Sequence, residues 1–338
     1  MHYKPIYRIT PYLLNQIEEA GKLQQWIESA TINVPWLPSL QREAKAINTH
    51  SSTSIEGNPL SLPQVEAIAR GDNIGSPEIY KKEVENYLQA MLWVAKYPKM
   101  AITEKTILKM HGILLKDILS FDKCGKYKAK QNYVANERGI RIYTPPNPKE
   151  TPKLMQELIN WVNSKETKNL HSVLICAIFH HHMVSIHPFA DGNGRIARAL
   201  GTLILYQRGF DTRHIFSLDE YFAGNRQRYY QKIEQARELD NDLTHWIEYV
   251  ADGIIATLKN VKKRIEDLQV TSQYKIALTP RQEDILRILR DNPLIGVHEL
   301  KNSLKVSRAR INQIIMPLVK GKLIIKEGKS RATRYKLA

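Results

Sequence analysis

Two apolar stretches in the middle of the chain are separated by a few residues, His187-Pro188-Phe189-Ala190-Asp191-Gly192-Asn193-Gly194-Arg195, and this constrains the fold most. Residues 169–186 read as a helix apolar on most sides (Val173, Leu174, Ile175, Ala177, Ile178, Met183), which requires a buried central element. Pro188 ends it, because the residue before a proline is pushed out of the α region. Asp191-Gly192-Asn193-Gly194 is loop chemistry, with glycines that permit positive φ and close backbone approach. From Arg195 a second helix runs through Ala197, Leu200, Leu203 and Leu205 towards a stop at Gly209. The chain is therefore expected to bury two consecutive helices with a polar, glycine-rich junction between them.

That junction concentrates chemistry. Its glycines sit at a helix N-terminus, where unpaired N–H groups and the helix dipole favour an anion such as phosphate. Arg195 and Arg198, three residues apart, share a helix face and can neutralise phosphate oxygens. Asp191 offers the hard oxygen that Mg²⁺ takes when one carboxylate and substrate phosphates bind it jointly. His187 has an unperturbed pKa near neutrality, which suits it to take a proton from an attacking hydroxyl. A lone histidine at a helix end is usually a packed core residue, and Gly-Asn-Gly alone is a common turn. Neither explanation covers His, Asp, two Gly and two Arg at one helix junction.

The stretch from His187 to Arg198 resembles the signature of the Fic family, H-P-F-x-(D/E)-G-N-G-R-x-x-R, with every fixed position matched. The resemblance implies a mainly α fold: a helical Fic core with a β-hairpin flap. It implies transfer of AMP from ATP to a Ser, Thr or Tyr hydroxyl of a target protein or of the chain itself. His187 would then be the general base and Asp191 the Mg²⁺ ligand. The backbone of Gly192, Asn193 and Gly194 would cradle phosphates that Arg195 and Arg198 neutralise, with Pro188, Phe189 and Ala190 completing the ATP-binding loop. Phe189 would anchor that loop. Gly194 matters within the family, since the Doc-like branch that transfers phosphate carries Lys there. Ala197 stands where many relatives have glycine, with little expected effect because alanine forms helix better.

Three further segments extend the resemblance. Residues 41–56 read as a helix stopped by Gly57, and Ser52-Thr53-Ser54-Ile55-Glu56-Gly57 is similar to the family's inhibitory motif, (S/T)-x-x-x-E-(G/N). The resemblance implies an inhibitory set of Ser52, Glu56 and Arg198, with Glu56 pairing with Arg198 and standing where that arginine would otherwise hold the γ-phosphate. Residues 125–146 alternate around Asn136-Glu137-Arg138-Gly139 and read as a hairpin, with Lys126-Tyr127-Lys128 as part of the unit. In Fic proteins such a flap holds the target by strand addition, so the target is expected to dock around Lys126 to Tyr143. Lys128 stands where the family often has Arg. Asn225 resembles the family residue near adenine and ribose, with Tyr229 or Tyr230 lining that pocket. His180-His181-His182 cannot share one metal ion, because neighbours on a helix point about 100° apart. They read as packing residues, with His182 nearest the ATP site.

Composition bounds the rest. A chain of 338 residues, 43% hydrophobic, can bury a large core in two or more domains. No apolar run reaches about 18 residues, so no membrane helix is expected. The start Met1-His2-Tyr3-Lys4-Pro5 has no apolar signal core, which leaves the cytoplasm as the expected location. Cys124 and Cys176 make no disulfide framework. Of the net charge of +16, residues 275–338 hold +10, from 15 Lys or Arg against 5 Asp or Glu.

That basic tail has a pattern. Thr279-Pro280-Arg281-Gln282 starts a helix with Ile285, Leu286 and Leu289. A short helix follows at 297–304, and Ser307 caps a third carrying Arg308 and Arg310 near its start. Residues 323–325 and 334–337 flank Gly328-Lys329-Ser330-Arg331 as a basic hairpin. This resembles a winged helix-turn-helix, with Arg308 and Arg310 at a DNA groove and Lys329 and Arg331 on phosphates. The same module can instead mediate homodimerisation or target docking. A long amphipathic helix at 240–269 and a linker at Thr271-Ser272-Gln273 precede it. The expected division is a helical region with the inhibitory helix (1–100), a catalytic core (101–270) and the winged helix (275–338). The leading expectation is an autoinhibited protein adenylyltransferase. The alternatives are a DNA-binding regulator with a silent or nucleotide-sensing core, and a site run backwards, with Glu56 orienting a water that removes AMP.

Overall fold

The computed structural model describes residues 3–30, 37–135, 139–210, 212–271, 278–292, 294–328 and 333–338. In chain order it begins with α1 (Pro11–Ser29), α2 (Leu37–Ile55), α3 (Leu62–Ala69), α4 (Glu78–Lys96) and α5 (Glu104–Leu114). The hairpin β1 (Val134–Ala135) and β2 (Arg141–Tyr143) follows, then α6 (Thr151–Val162), α7 (Ser172–Ile186) and α8 (Asn193–Gln207). Next come α9 (Leu218–Gly224), α10 (Arg226–Glu238) and α11 (Thr244–Thr271). The chain ends with α12 (Pro280–Asp291), β3 (Ile295–Gly296), α13 (Val297–Leu304), α14 (Arg308–Lys320), β4 (Ile324–Glu327) and β5 (Arg334–Leu337). The protein is mainly helical, and none of its described helices is long and apolar enough to cross a membrane.

Two compact units partition the chain, one of Met1–Ser29 with Glu43–Val261 and one of Ala30–Arg42 with Lys262–Ala338. In the larger unit α7 and α8 form the centre. Every residue of α7 except His182 is buried, and so is all of α8 apart from Gly194 and Gln207. This all-round burial follows from a sequence with no polar stripe. Around α7 an aromatic cluster of Phe222, Tyr229, Trp246 and Tyr249 closes the core, and the Trp246 indole N–H donates to the Ala177 carbonyl at 2.7 Å. In the smaller unit α13 and α14 are joined by a short turn through Lys305, and a sheet of order β3-β5-β4 completes it.

Several boundaries differ from the sequence expectation. The first apolar helix starts at Ser172, because the His171 imidazole accepts the Val173 N–H and caps it. The second starts at Asn193 instead of Arg195, with Gly192 in the left-handed region (φ 77°) as the cap. A Cβ at Gly192 would stand 2.4 Å from Leu115 Cδ2, so the turn needs glycine for its space as well as its φ. The helix expected over 41–56 begins earlier, at Leu37, and ends at Ile55, leaving Glu56 in the turn. The hairpin strands are shorter than the alternation suggests. Lys126 to Lys128 form no strand, because the Lys128 N–H donates to Pro188 O instead of to a partner strand. The expected turn residues Asn136, Glu137 and Arg138 lie outside the described residues, as do Ser272 and Gln273 of the linker. The long helix begins at Thr244 rather than at 240, since Asp240 and Asn241 adopt positive φ (53° and 62°).

Candidate active site

His187 closes α7 as its C-cap in the left-handed conformation (φ 49°, ψ 58°), which turns the chain sharply into the polar junction. The loop after it is held by its own side chains. Asn193 Oδ1 accepts the Phe189 N–H and Asn193 Nδ2 donates to Phe189 O, both at 2.9 Å. Asn132 Nδ2 donates to the same carbonyl at 2.9 Å and to His187 O at 3.3 Å. Phe189 is fully buried and stacks on His111 with ring centroids 3.9 Å apart, as expected of an anchor. His111 accepts the Gly125 N–H on Nδ1, so its Nε2 carries the proton and donates to Asp191 O at 3.2 Å. Pro188 is buried, whereas Ala190 and Asp191 face solvent.

The imidazole of His187 leaves one ring nitrogen able to accept a proton. Its Nδ1 lies 3.3 Å from Val184 O, and a carbonyl can only accept, so Nδ1 bears the proton and Nε2 keeps its lone pair. Burial pushes its pKa down to about 4, assisted by the Lys128 and Arg237 cations and opposed by the Val184 bond and Glu56. The ring is therefore neutral at pH 7.

Around it is a cavity of about 880 Å³ whose walls include Glu56, His187, Gly194, Arg198, Tyr230 and Arg237. Arg198 is fully buried and densely bonded: Nε donates to Ser52 Oγ (2.7 Å), Nη2 to Ser52 O (2.9 Å) and to Glu56 Oε1 (2.7 Å). Asp219 stands 3.9 Å behind it and accepts from Tyr87 Oη at 2.9 Å. Among the described residues Arg198 Nη1 is buried and meets no hydrogen-bond partner. A Cβ at Gly194 would fall 2.3 Å from Glu56 Oε1 and 3.0 Å from that Nη1. The missing side chain thus leaves a cradle at the N-terminus of α8, and a carboxylate oxygen already occupies it.

Arg195 points elsewhere. It is buried, pairing with Glu83 at 2.9 Å and with Asp191 Oδ2 at 3.2 Å, while Asp191 Oδ1 accepts the Gly192 N–H at 2.6 Å. Asp191 remains half exposed. Among the described residues no group of three or more His, Cys, Asp or Glu is placed to hold a metal ion by itself.

Two expected site residues lie away from this cavity. His182 stacks on Tyr3 (3.7 Å between centroids) and lines a separate recess with His181 and Ser185, because successive residues of α7 rotate by about 100°. His180 is the histidine directed at the site's wall, with Nε2 2.9 Å from Tyr229 Oη. Asn225 is spent as the cap of α10, accepting the Arg228 N–H at 2.9 Å, and lines a neighbouring recess. Tyr229 and Tyr230 do line the main cavity, with Tyr133, Val134, Ile140 and Ile142 of the hairpin opposite. Glu83, His111, Asn132 and Asp219 were not singled out from sequence. Each lies more than 20 residues from its partner in the site, and none carries a local motif. In the smaller unit Arg308 and Arg310 are exposed at the start of α14, and Lys329 and Arg331 lie outside the described residues.

Residues 101–205, which contain the junction, the hairpin, α7 and all but the last two residues of α8, match the Fic/DOC family. Those residues form a Fic domain. Protein adenylyltransferase Fic of Drosophila grimshawi is 30% identical to it over 226 residues, covering 64% of this chain and 43% of that protein. The Drosophila virilis protein of the same name matches over the same extent. The matched stretch is thus less than half the length of these curated relatives. A Fic family protein from Desulfovibrio desulfuricans G20 shares the fold across 99% of this chain and 98% of its own, with a TM-score of 0.70 and 24% identity. Fic-1 from C. elegans is 25% identical with a TM-score of 0.61, covering 74% of this chain and 71% of that one.

Proposed function

We propose that this Fic protein transfers AMP from ATP to a hydroxyl of a protein and that Glu56 holds it at rest. The observation that carries both halves is the contact of Glu56 Oε1 with Arg198 and Gly194, an anion seated in the chain's own anion site. A triphosphate fits the same place. The unpartnered Arg198 Nη1 awaits an acceptor, the Gly194 cradle admits an oxygen close to the backbone, and the α8 N-terminus favours negative charge. Solvent-facing Asp191 suits a Mg²⁺ ion shared with phosphate oxygens, and the ion would offset charge on the departing pyrophosphate. Arg195, fixed between Glu83 and Asp191, positions that carboxylate.

His187 Nε2 takes the proton of the target hydroxyl as its oxygen bonds to the α-phosphorus. The bond from that phosphorus to the pyrophosphate oxygen breaks, and pyrophosphate leaves. The hairpin edge beside the cavity suits an extended target segment. The test is label position. Protein marked by α-labelled ATP and left unmarked by γ-labelled ATP supports AMP transfer; the reverse pattern means phosphotransfer and overturns the reading.

A second reading concerns the smaller unit. The exposed face of α14 presents Arg308, Arg310, Asn312 and Gln313, and the helix contains no acidic residue, while Ile311, Ile314, Ile315 and Leu318 pack inward. Long planar donors with no carboxylate among them suit base edges and phosphates, which favours duplex DNA over a protein partner. Retention on duplex DNA is expected to fall steeply from about 50 to 200 mM salt and to disappear in an Arg308→Ala/Arg310→Ala variant. Retention that ignores both changes overturns it in favour of dimerisation.

A further inference from the structure

We propose that Arg237, on α10, is a positioning residue that holds the carboxyl end of α7 and thereby the tautomer and aim of the His187 imidazole. The inference rests on the assignment of His187 as the base. Its origin is the way α7 ends. A helix leaves its last four carbonyls without intrahelical partners. In α7 each one has an acceptor role filled from a different direction. Met183 O accepts the His187 backbone N–H at 3.1 Å. Val184 O accepts His187 Nδ1–H at 3.3 Å and Arg237 Nη2 at 3.4 Å. Ser185 O accepts Tyr143 Oη at 2.9 Å, and Ile186 O accepts Lys128 Nζ at 3.4 Å. Two cations thus stand at the negative end of the helix dipole.

Arg237 joins these contacts into one bracket. Its Nε donates to Ser185 Oγ (3.3 Å), its Nη1 pairs with Glu234 (3.0 Å), and its guanidinium carbon lies over the Tyr143 ring, 3.7 Å from the centroid. The carbonyl that fixes the proton on His187 Nδ1 is therefore itself fixed by Arg237. A planar fork can do this and a point charge cannot: one ammonium does not reach Val184 O, Ser185 Oγ and Glu234 while stacking on a ring. The charged and titratable groups around the imidazole are Lys128 and Tyr143 from the flap segment, Arg237 and Glu234 from α10, and Glu56 after α2. Of the cations, only Arg237 touches the carbonyl that the ring uses.

The experiment separates charge from geometry. In a Glu56→Gly background, Arg237→Met and Arg237→Lys are compared by the ring-nitrogen NMR signals of His187, assigned with His187→Asn, and by AMP transfer. In the parent chain His187 is expected as the Nδ1–H tautomer, titrating well below pH 6. Arg237→Met is expected to mix the tautomers and move the titration upward. Its kcat is expected to fall about 10²-fold, with KM for ATP changed less than about 3-fold, as for a misaligned catalytic group. Arg237→Lys is expected to restore the titration but only part of the rate. An Arg237→Met protein whose His187 keeps the parent tautomer and titration overturns the proposal, whether or not the chain transfers AMP. So does a raised KM with kcat unchanged, which would make Arg237 a substrate contact. Loss of AMP transfer in the parent chain with the NMR behaviour intact overturns the reaction and leaves the bracket standing.

Discussion

A Glu56→Gly chain is expected to incorporate about 10²-fold more AMP from α-labelled ATP than the unaltered chain. The size follows from the contact that is lost. Arg198 is fully buried, whereas the Glu56 side chain keeps 27% of its surface exposed, so the pair sits below the range for a fully enclosed ion pair. Breaking a buried pair costs about 3–5 kcal/mol. Taking roughly 3 kcal/mol for a partner at the cavity edge gives about two orders of magnitude in the population of a site open to triphosphate. The substitution leaves the rest of the site in place. Glu56 lies one residue past the end of α2, so glycine there costs no helix interior, and Arg198 retains Ser52 and Asp219. Unchanged labelling with an unchanged melting temperature would remove the brake from this account while leaving the chemistry intact.

The second large effect is downward. His187→Ala in the same background is expected to lower AMP transfer by about 10³-fold, within the range for losing a positioned general base. ATP binding, followed by calorimetry, is expected to change little, because the neutral imidazole supplies no charge to the phosphates. The backbone needs a control. His187 sits at positive φ, where alanine pays about 1–2 kcal/mol. His187→Asn, which tolerates that conformation, separates strain from chemistry. Both variants should lose the reaction, and an active His187→Asn chain would sink the assignment. The pH profile carries the same message. Burial holds His187 at a pKa of about 4, so the base is already unprotonated through pH 5 to 8. The rate is then expected to lack an acid limb near 6.5 and to fall only as pH approaches about 4.

The junction between α7 and α8 was legible in the sequence because its determinants are local. Proline, two glycines and an apolar run on either side dictate a helix, a sharp turn and a second helix, and the side chains between them have few places to go. The pair Glu56 with Arg198 was legible only through a resemblance, since 142 residues separate its members and no local pattern joins them. His182 shows the limit of position counting. It lies five residues from His187, but a rotation of about 100° per residue sends it into a separate recess, towards Tyr3. Asn225 illustrates a different point: asparagine ahead of a helix competes for the cap, and here it caps α10. Glu83, Asp219 and Arg237 were invisible because each is an ordinary charged residue on a mixed helix. Only packing gives such a residue a partner.

The nine residues of the junction also differ in how freely they can drift. Gly192 has a left-handed backbone and no space for a methyl group, Asn193 closes two bonds on Phe189, and Phe189 has no exposed surface. Ala190 is held by none of these and faces solvent. A library randomised across the junction should therefore return a nearly fixed frame with one permissive slot. The fold would be filtering those sequences before any substrate is offered, so part of what looks like catalytic selection in such a motif is selection for closing a helix turn.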